Sequence, residues 1–194
     1  MPAVMSPEQL FVHELQDMYY AEKALTRTLP QLAEEATDGE LSRAFTSHLK
    51  ETEKHVTNLE KVFKGIGKVA QPHHCPGIEG IKKEHDDFMR ENQPTPAIRD
   101  AFLTGAASRT EHYEIAAYTG LVNQARALGE RDAVELLQQN LREEKDALKK
   151  VETISKRLLK KSNGGTTRRK PSSRSSTRAR TTTRSRTKSR TASR

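Results

Sequence analysis

Phe11, Leu15, Met18, Glu22, Leu25, Leu29 and Leu32 recur at alternating spacings of four and three residues. That spacing keeps one stripe of a long helix facing a partner, and it constrains the fold more than any other feature of the chain. The stripe begins after Ser6-Pro7-Glu8-Gln9, which reads as a capping box with proline at the first helical position. Thr37-Asp38-Gly39 ends this helix, and Pro30 predicts a kink near residues 26–30.

Three more long segments follow the same rule. A second helix is predicted over Glu40–Lys64 with Leu41, Phe45, Leu49, Val56, Leu59 and Phe63 on its apolar face, and Gly65 and Gly67 stop it. After the irregular stretch VAQPHHCPG, a short helix is predicted over Ile78–Glu91. Thr95 as cap and Pro96 then start a helix over Ala97–Leu128, with Leu103, Ala107, Thr110, Glu114, Ala117 and Leu121 on one stripe. The last helix, Asp132–Lys160, carries Val134, Leu137, Leu141, Glu144, Leu148, Val151, Ser155 and Leu158. Tight turns join the first two long helices and the last two, and a connection of about 30 residues crosses between the hairpins. The expected fold is all-α: a ferritin-like four-helix bundle of two antiparallel hairpins, with a long crossover holding a short extra helix.

Charge divides the chain into two domains. From Lys160 onward there are 13 Lys or Arg and no Asp or Glu, which leaves 21 basic and 26 acidic side chains before it. An acidic bundle over residues 1–161 is therefore followed by a basic tail over 162–194, with a hinge at Gly164-Gly165. The tail is Arg, Ser and Thr with almost nothing apolar, and it is expected to be disordered. Its Arg168, Arg169, Lys170, Arg174, Arg178, Arg180, Arg184, Arg186, Lys188, Arg190 and Arg194 can neutralise phosphates. Without an aromatic residue it cannot stack on bases, so the backbone of DNA, or of another polyanion such as RNA, is the expected partner. No signal peptide or apolar run of membrane-spanning length is legible, and Cys75 has no disulfide partner in the chain. The expected location is cytoplasmic, with nucleoid association through the tail and no membrane partner.

Acid within the apolar stripes is the chemical signal. Glu22, Glu114 and Glu144 occupy seam positions on three helices, and His48, Glu51 and His55 share a flank of the fourth. A lone buried carboxylate is costly, whereas several sharing cations are not. Oxygen and imidazole donors suit Fe or Mn, so these six residues are the candidate metal ligands. The usual Glu-x-x-His of di-iron bundles occurs nowhere in the chain, and the last long helix has no histidine. Tyr19, Tyr20 and Tyr118 are candidate radical or proton donors. The alternative is that the seam glutamates are structural. His73-His74-Cys75 reads as a loop with no second ligand cluster.

Several segments resemble the YciE/YciF stress-protein family of ferritin-like proteins: FVHELQDMYYAEKALTRTLPQLAEEA, LSRAFTSHLKETEKHVTNLEKVF, CPGIEGIKKE, RTEHYEIAAY and LGERDAVELLQQNLREEK. The resemblance covers Glu8 to Leu159. It implies a bundle similar to rubrerythrin, a homodimer and a link to bacterial stress, with no settled reaction. By position it places acids at Glu22, Glu51, Glu114 and the Glu143/Glu144 pair, and it matches His48. It also implies an Asp where this chain has Leu148. The expected function is a stress protein that binds Fe or Mn, consumes Fe²⁺ or peroxide and is tethered to DNA. The alternative is a metal-free dimer that condenses DNA or serves as a scaffold, without catalysis.

Overall fold

A computed structural model describes residues 4–164, with side chains to Lys161. The basic tail lies outside the described residues. Five helices and no strand occur among the described residues: α1 Pro7–Glu35, α2 Gly39–Gly65, α3 Pro76–Asn92, α4 Pro96–Leu128 and α5 Arg131–Gly164.

Local chemistry sets the helix ends. Ser6 Oγ accepts from Gln9 N, but the Gln9 side chain reaches Met5 N rather than Ser6 N, so the capping box is shifted by one residue. α1 continues through Pro30 to Glu35. Asp38 Oδ1 accepts from Glu40 N and Leu41 N and starts α2 one residue earlier than expected. Thr95 stands at the start of α4 without a side-chain capping bond. Gly129, at φ 78°, turns the chain from α4 into α5 in two residues, a conformation that glycine adopts without strain. α5 runs past the expected end at Lys160 and takes in Gly164, the first residue of the anticipated hinge.

The packing is that of the expected bundle. α1 pairs with α2 and α4 with α5, while α2 also lies against α5 and α1 against α4; α3 rests on α4. The α1–α2 turn is tied down by both helices of the other hairpin, α4 and α5. Thr37 N and Oγ1 donate to the Asp100 carboxylate at 2.8 and 2.6 Å, and the Arg157 guanidinium forks onto Asp38. The core is mainly aliphatic, with Phe11, Tyr19, Phe45, Phe63 and Tyr118 as its large aromatics.

The α5 stripe differs from the sequence reading. Its buried residues are Ala133, Leu137, Asn140, Glu144, Ala147, Val151, Ile154 and Leu158. Val134, Leu141, Leu148 and Ser155 are only partly buried. Both stripes obey the same four-three period and share Leu137, Glu144, Val151 and Leu158. Hydrophobicity favoured leucine at 141, but the structure turns Asn140 inward because a polar partner awaits it.

Candidate metal centre

Four carboxylates and two imidazoles meet in the middle of the bundle. Glu22 comes from α1, His48 and His55 from α2, Glu111 and Glu114 from α4, and Glu144 from α5. Glu22, His55, Glu114 and Glu144 are completely buried, and His48 and Glu111 nearly so. Each stands on a rigid helix rather than a loop, and this placement holds the donors in register. The donors fall into two groups that share Glu144: Glu22, His55 and Glu144 on one side, and His48, Glu111, Glu114 and Glu144 on the other.

His55 Nδ1 lies 2.8 Å from Glu144 Oε1 and 3.2 Å from Glu22 Oε1, and its Nε2 lies 2.9 Å from Glu143 Oε2. His48 Nε2 lies 3.4 Å from Glu111 Oε1 and 3.6 Å from Glu144 Oε2, with its Nδ1 3.2 Å from Glu51 Oε2. Each imidazole thus turns one nitrogen into the centre and the other onto an outlying carboxylate. Carboxylates in that outer position fix the tautomer and orientation of ligating histidines.

The inward oxygens lack protein hydrogen bonds. Both oxygens of Glu114, both of Glu144, Glu22 Oε2 and Glu111 Oε2 are buried without a hydrogen-bond partner, and so is His55 Nδ1 despite its short approaches. Unmatched buried acceptors are costly, so a cluster of them on one spot calls for a cation or protons. Burial, then the nearby charges of Glu144 and Glu22, pushes Glu114 well above the usual carboxylate range. Burial and the Glu144 carboxylate do the same to Glu111. Burial alone would lower His55, but the Glu22 and Glu144 carboxylates outweigh it and hold the imidazole up at about 11. Burial would raise Glu144 too, but the polar contacts of His55 and Glu111 outweigh it and hold Glu144 below its usual range. Metal-free, the cluster therefore favours protons on Glu111, Glu114 and the His55 imidazole, and a cation would displace those protons. These groups could hold a metal ion, and with carboxylate oxygens and imidazole nitrogens and no thiolate among them they are suited to a hard or borderline one.

Around the cluster runs a polar network. Tyr118 donates its hydroxyl to Glu22 Oε1, Asn140 Nδ2 donates to the Tyr118 hydroxyl at 3.0 Å, and Asn58 Nδ2 donates to Asn140 Oδ1 at 2.8 Å. A cleft of about 190 Å³ between α2 and α5, lined by His48, Glu51, Glu143, Asp146 and Lys150 among others, opens on the His48 edge.

Of the six expected ligands, Glu22, His48, His55, Glu114 and Glu144 converge. Glu51 does not join either group; it lies outside and holds His48. Glu143 stands in the corresponding place on α5 beside His55, as the 29-residue spacing shared by Glu22–Glu51 and Glu114–Glu143 suggests. Glu111 is the member of the cluster that the seam pattern missed. α4 carries Ala, Gly and Ser around much of its surface, so its apolar face is poorly marked; the three-residue step to Glu114 was the available signal. Tyr118 reaches the centre, whereas Tyr19 and Tyr20 donate to Glu60 and Glu79 instead. Cys75 is buried, its Sγ 2.8 Å from the Tyr113 hydroxyl.

Residues 6–163 match the family described as "Domain of unknown function (DUF892)", and the chain belongs to that family. It is 38% identical over 139 residues to Protein YciF of Escherichia coli K12, covering 71% of this chain and 83% of that protein. The crystal structure of the E. coli stress protein YciF superposes with a TM-score of 0.77 at 36% identity, covering 80% of this chain and 98% of the other. YcfI from Rhodopseudomonas palustris superposes with a TM-score of 0.75 at 41% identity, covering 77% and 95%. A Xanthomonas campestris protein shares the fold at 20% identity, with a TM-score of 0.63 and coverage of 81% and 99%. The resemblance read in the sequence is thereby upheld.

Proposed function

We propose that this chain is a stress protein that binds two Fe or Mn ions in the bundle seam and consumes Fe²⁺ or peroxide, while its basic tail holds it on DNA. The observation that carries the metal reading is the sharing of Glu144 between two His/Glu groups whose inward oxygens are buried without hydrogen-bond partners. Glu22 and His55 would hold one ion, and His48, Glu111 and Glu114 the other, with Glu144 between them. Bound there, the metals would supply one-electron chemistry toward oxygen or peroxide. The chain's own contribution is positioning. Glu51 and Glu143 orient the imidazoles, Tyr118, itself held by Asn140, holds Glu22, and the small cleft beside His48 admits small molecules.

The stress role rests on likeness to E. coli YciF. DNA tethering rests on the 11 Lys and Arg between Arg168 and Arg194 against the acidic body. A homodimer would present two such tails and gain avidity. No helix among the described residues is long and apolar enough to cross a membrane.

Metal content by mass spectrometry on untagged protein tests the reading, beside a Glu22→Ala, Glu114→Ala double variant. About two Fe or Mn per chain, lost in the variant, is the expected result. No bound metal even after anaerobic loading with Fe²⁺ would make the carboxylates structural and leave a metal-free DNA-condensing protein.

A further inference from the structure

A second constellation of ligand-type side chains lies outside the seam. His13 and Asp17 are four residues apart on α1, so both project from the same helical face. His73 comes from the irregular crossover between α2 and α3. One ligand atom from each of the three lies within 4.8 Å of the other two. The His13 and His73 rings are 5.1 Å apart between centroids, and His73 Nδ1 lies 2.7 Å from Asp17 Oδ1.

His73 is held in place by its backbone as well as its side chain. Its N–H donates to Gln16 O at 3.2 Å, which fastens the crossover to α1 between the two helical donors. The neighbours on the loop are anchored separately: His74 packs its ring 5.4 Å from that of Tyr20, and Cys75 is buried against Tyr113. His73 is therefore positioned by an already fixed segment, and the ordering cost of bringing it to α1 is met by the fold. All three donors are half-buried, so solvent can supply the remaining coordination positions.

We propose that His13, Asp17 and His73 form a separate, open site for one divalent transition-metal ion of borderline softness, of which Zn²⁺ is the probe. Two imidazoles and one carboxylate are a sufficient protein donor set for such an ion, with water completing it. Metal–ligand bonds of about 2.0–2.1 Å place neighbouring donors roughly 3.3 Å apart in a tetrahedral arrangement. The existing His73–Asp17 contact of 2.7 Å need open by only about 0.6 Å to reach that spacing. The ion would act as a clip between the crossover and α1. It does not depend on the seam centre, since the two sites share no residue.

The test is calorimetric titration of the metal-free, full-length chain with Zn²⁺, compared with His13→Gln, His73→Gln and Asp17→Asn. One equivalent should disappear in each variant, while any remaining equivalents keep their affinity. The same equivalent should survive in the Glu22→Ala, Glu114→Ala variant, which separates failure here from failure of the seam centre. Zn²⁺ should also slow backbone amide exchange across residues 66–75 in the parent and not in the three variants. Because the three side chains are half-buried, circular dichroism should report unchanged folding in each. Equal stoichiometry and affinity in parent and variants, or exchange in the crossover that Zn²⁺ leaves unchanged, would overturn the site.

Discussion

His55 and Glu144 face each other across the bundle, Nδ1 2.8 Å from Oε1, with both atoms buried and neither engaged in a hydrogen bond of good geometry. Two strong hydrogen-bonding groups so close yet poorly aligned are arranged as donors converging on a common point. Glu144 alone appears in both metal-compatible groups of the seam.

That sharing predicts an asymmetry among variants. Glu144→Ala should remove both equivalents of bound Fe or Mn, whereas Glu22→Ala should spare the ion held by His48, Glu111 and Glu114. Metal analysis after loading checks it, and equal losses from the two substitutions would count against a bridging Glu144.

Glu51 and Glu143 touch the outward nitrogens of His48 and His55. Glu51→Gln and Glu143→Gln should therefore weaken metal binding by about 10- to 100-fold without abolishing it. A competition titration with a chromophoric chelator reads this. An effect as complete as that of Glu144→Ala would place these residues on the metal.

The buried amide pair gives a stability prediction. Asn140→Leu leaves Asn58 Nδ2 and the Tyr118 hydroxyl short of a partner, and should cost about 1–3 kcal/mol in urea unfolding. The double variant Asn58→Leu, Asn140→Leu should recover part of that loss, because both amides are then removed together.

The α5 register can be checked with two leucines. Leu137 is fully buried and Leu141 only partly so. Leu137→Ala should cost about 2–5 kcal/mol and Leu141→Ala roughly half as much or less. Equal costs would restore the stripe read from hydrophobicity.

Asp38 supplies a pH dependence. Hydrogen bonds from the Arg157 guanidinium, aided by the Leu41 and Glu40 amides, outweigh partial burial and hold its carboxyl at about 2. The folded value lies below the unfolded one, so the stabilisation is fully present above the unfolded value. It is lost as pH falls through about 2. Asp38→Ala should therefore destabilise the protein by about 1 kcal/mol at pH 7. The difference from the parent should shrink as pH falls from about 5 toward 2, as chemical unfolding across that range will show.

The tail prediction concerns residues 165–194, outside the described structure. With about six phosphate contacts at once, duplex DNA affinity should fall by roughly three decades between 50 and 200 mM salt. Deleting 165–194 should abolish binding, and survival of binding after that deletion would refute the tether.

The sequence by itself determined the helix count, the turns, the hairpin order and most of the buried acids. Periodicity and end signals such as Ser6, Asp38 and Gly129 are local, and they act before any partner helix is present. Glu22, Glu114 and Glu144 were legible because an acid within an apolar stripe violates that periodicity. The tertiary structure alone decided between Asn140 and Leu141, brought Glu111 inward, and turned Glu51 and Glu143 to the outer side of the histidines. A helical face is broad, and neighbouring positions on it differ in depth only through what the opposing helices present. Asn58 and Tyr118 draw Asn140 inward, just as Gln16 and Asp17 fix where His73 meets α1.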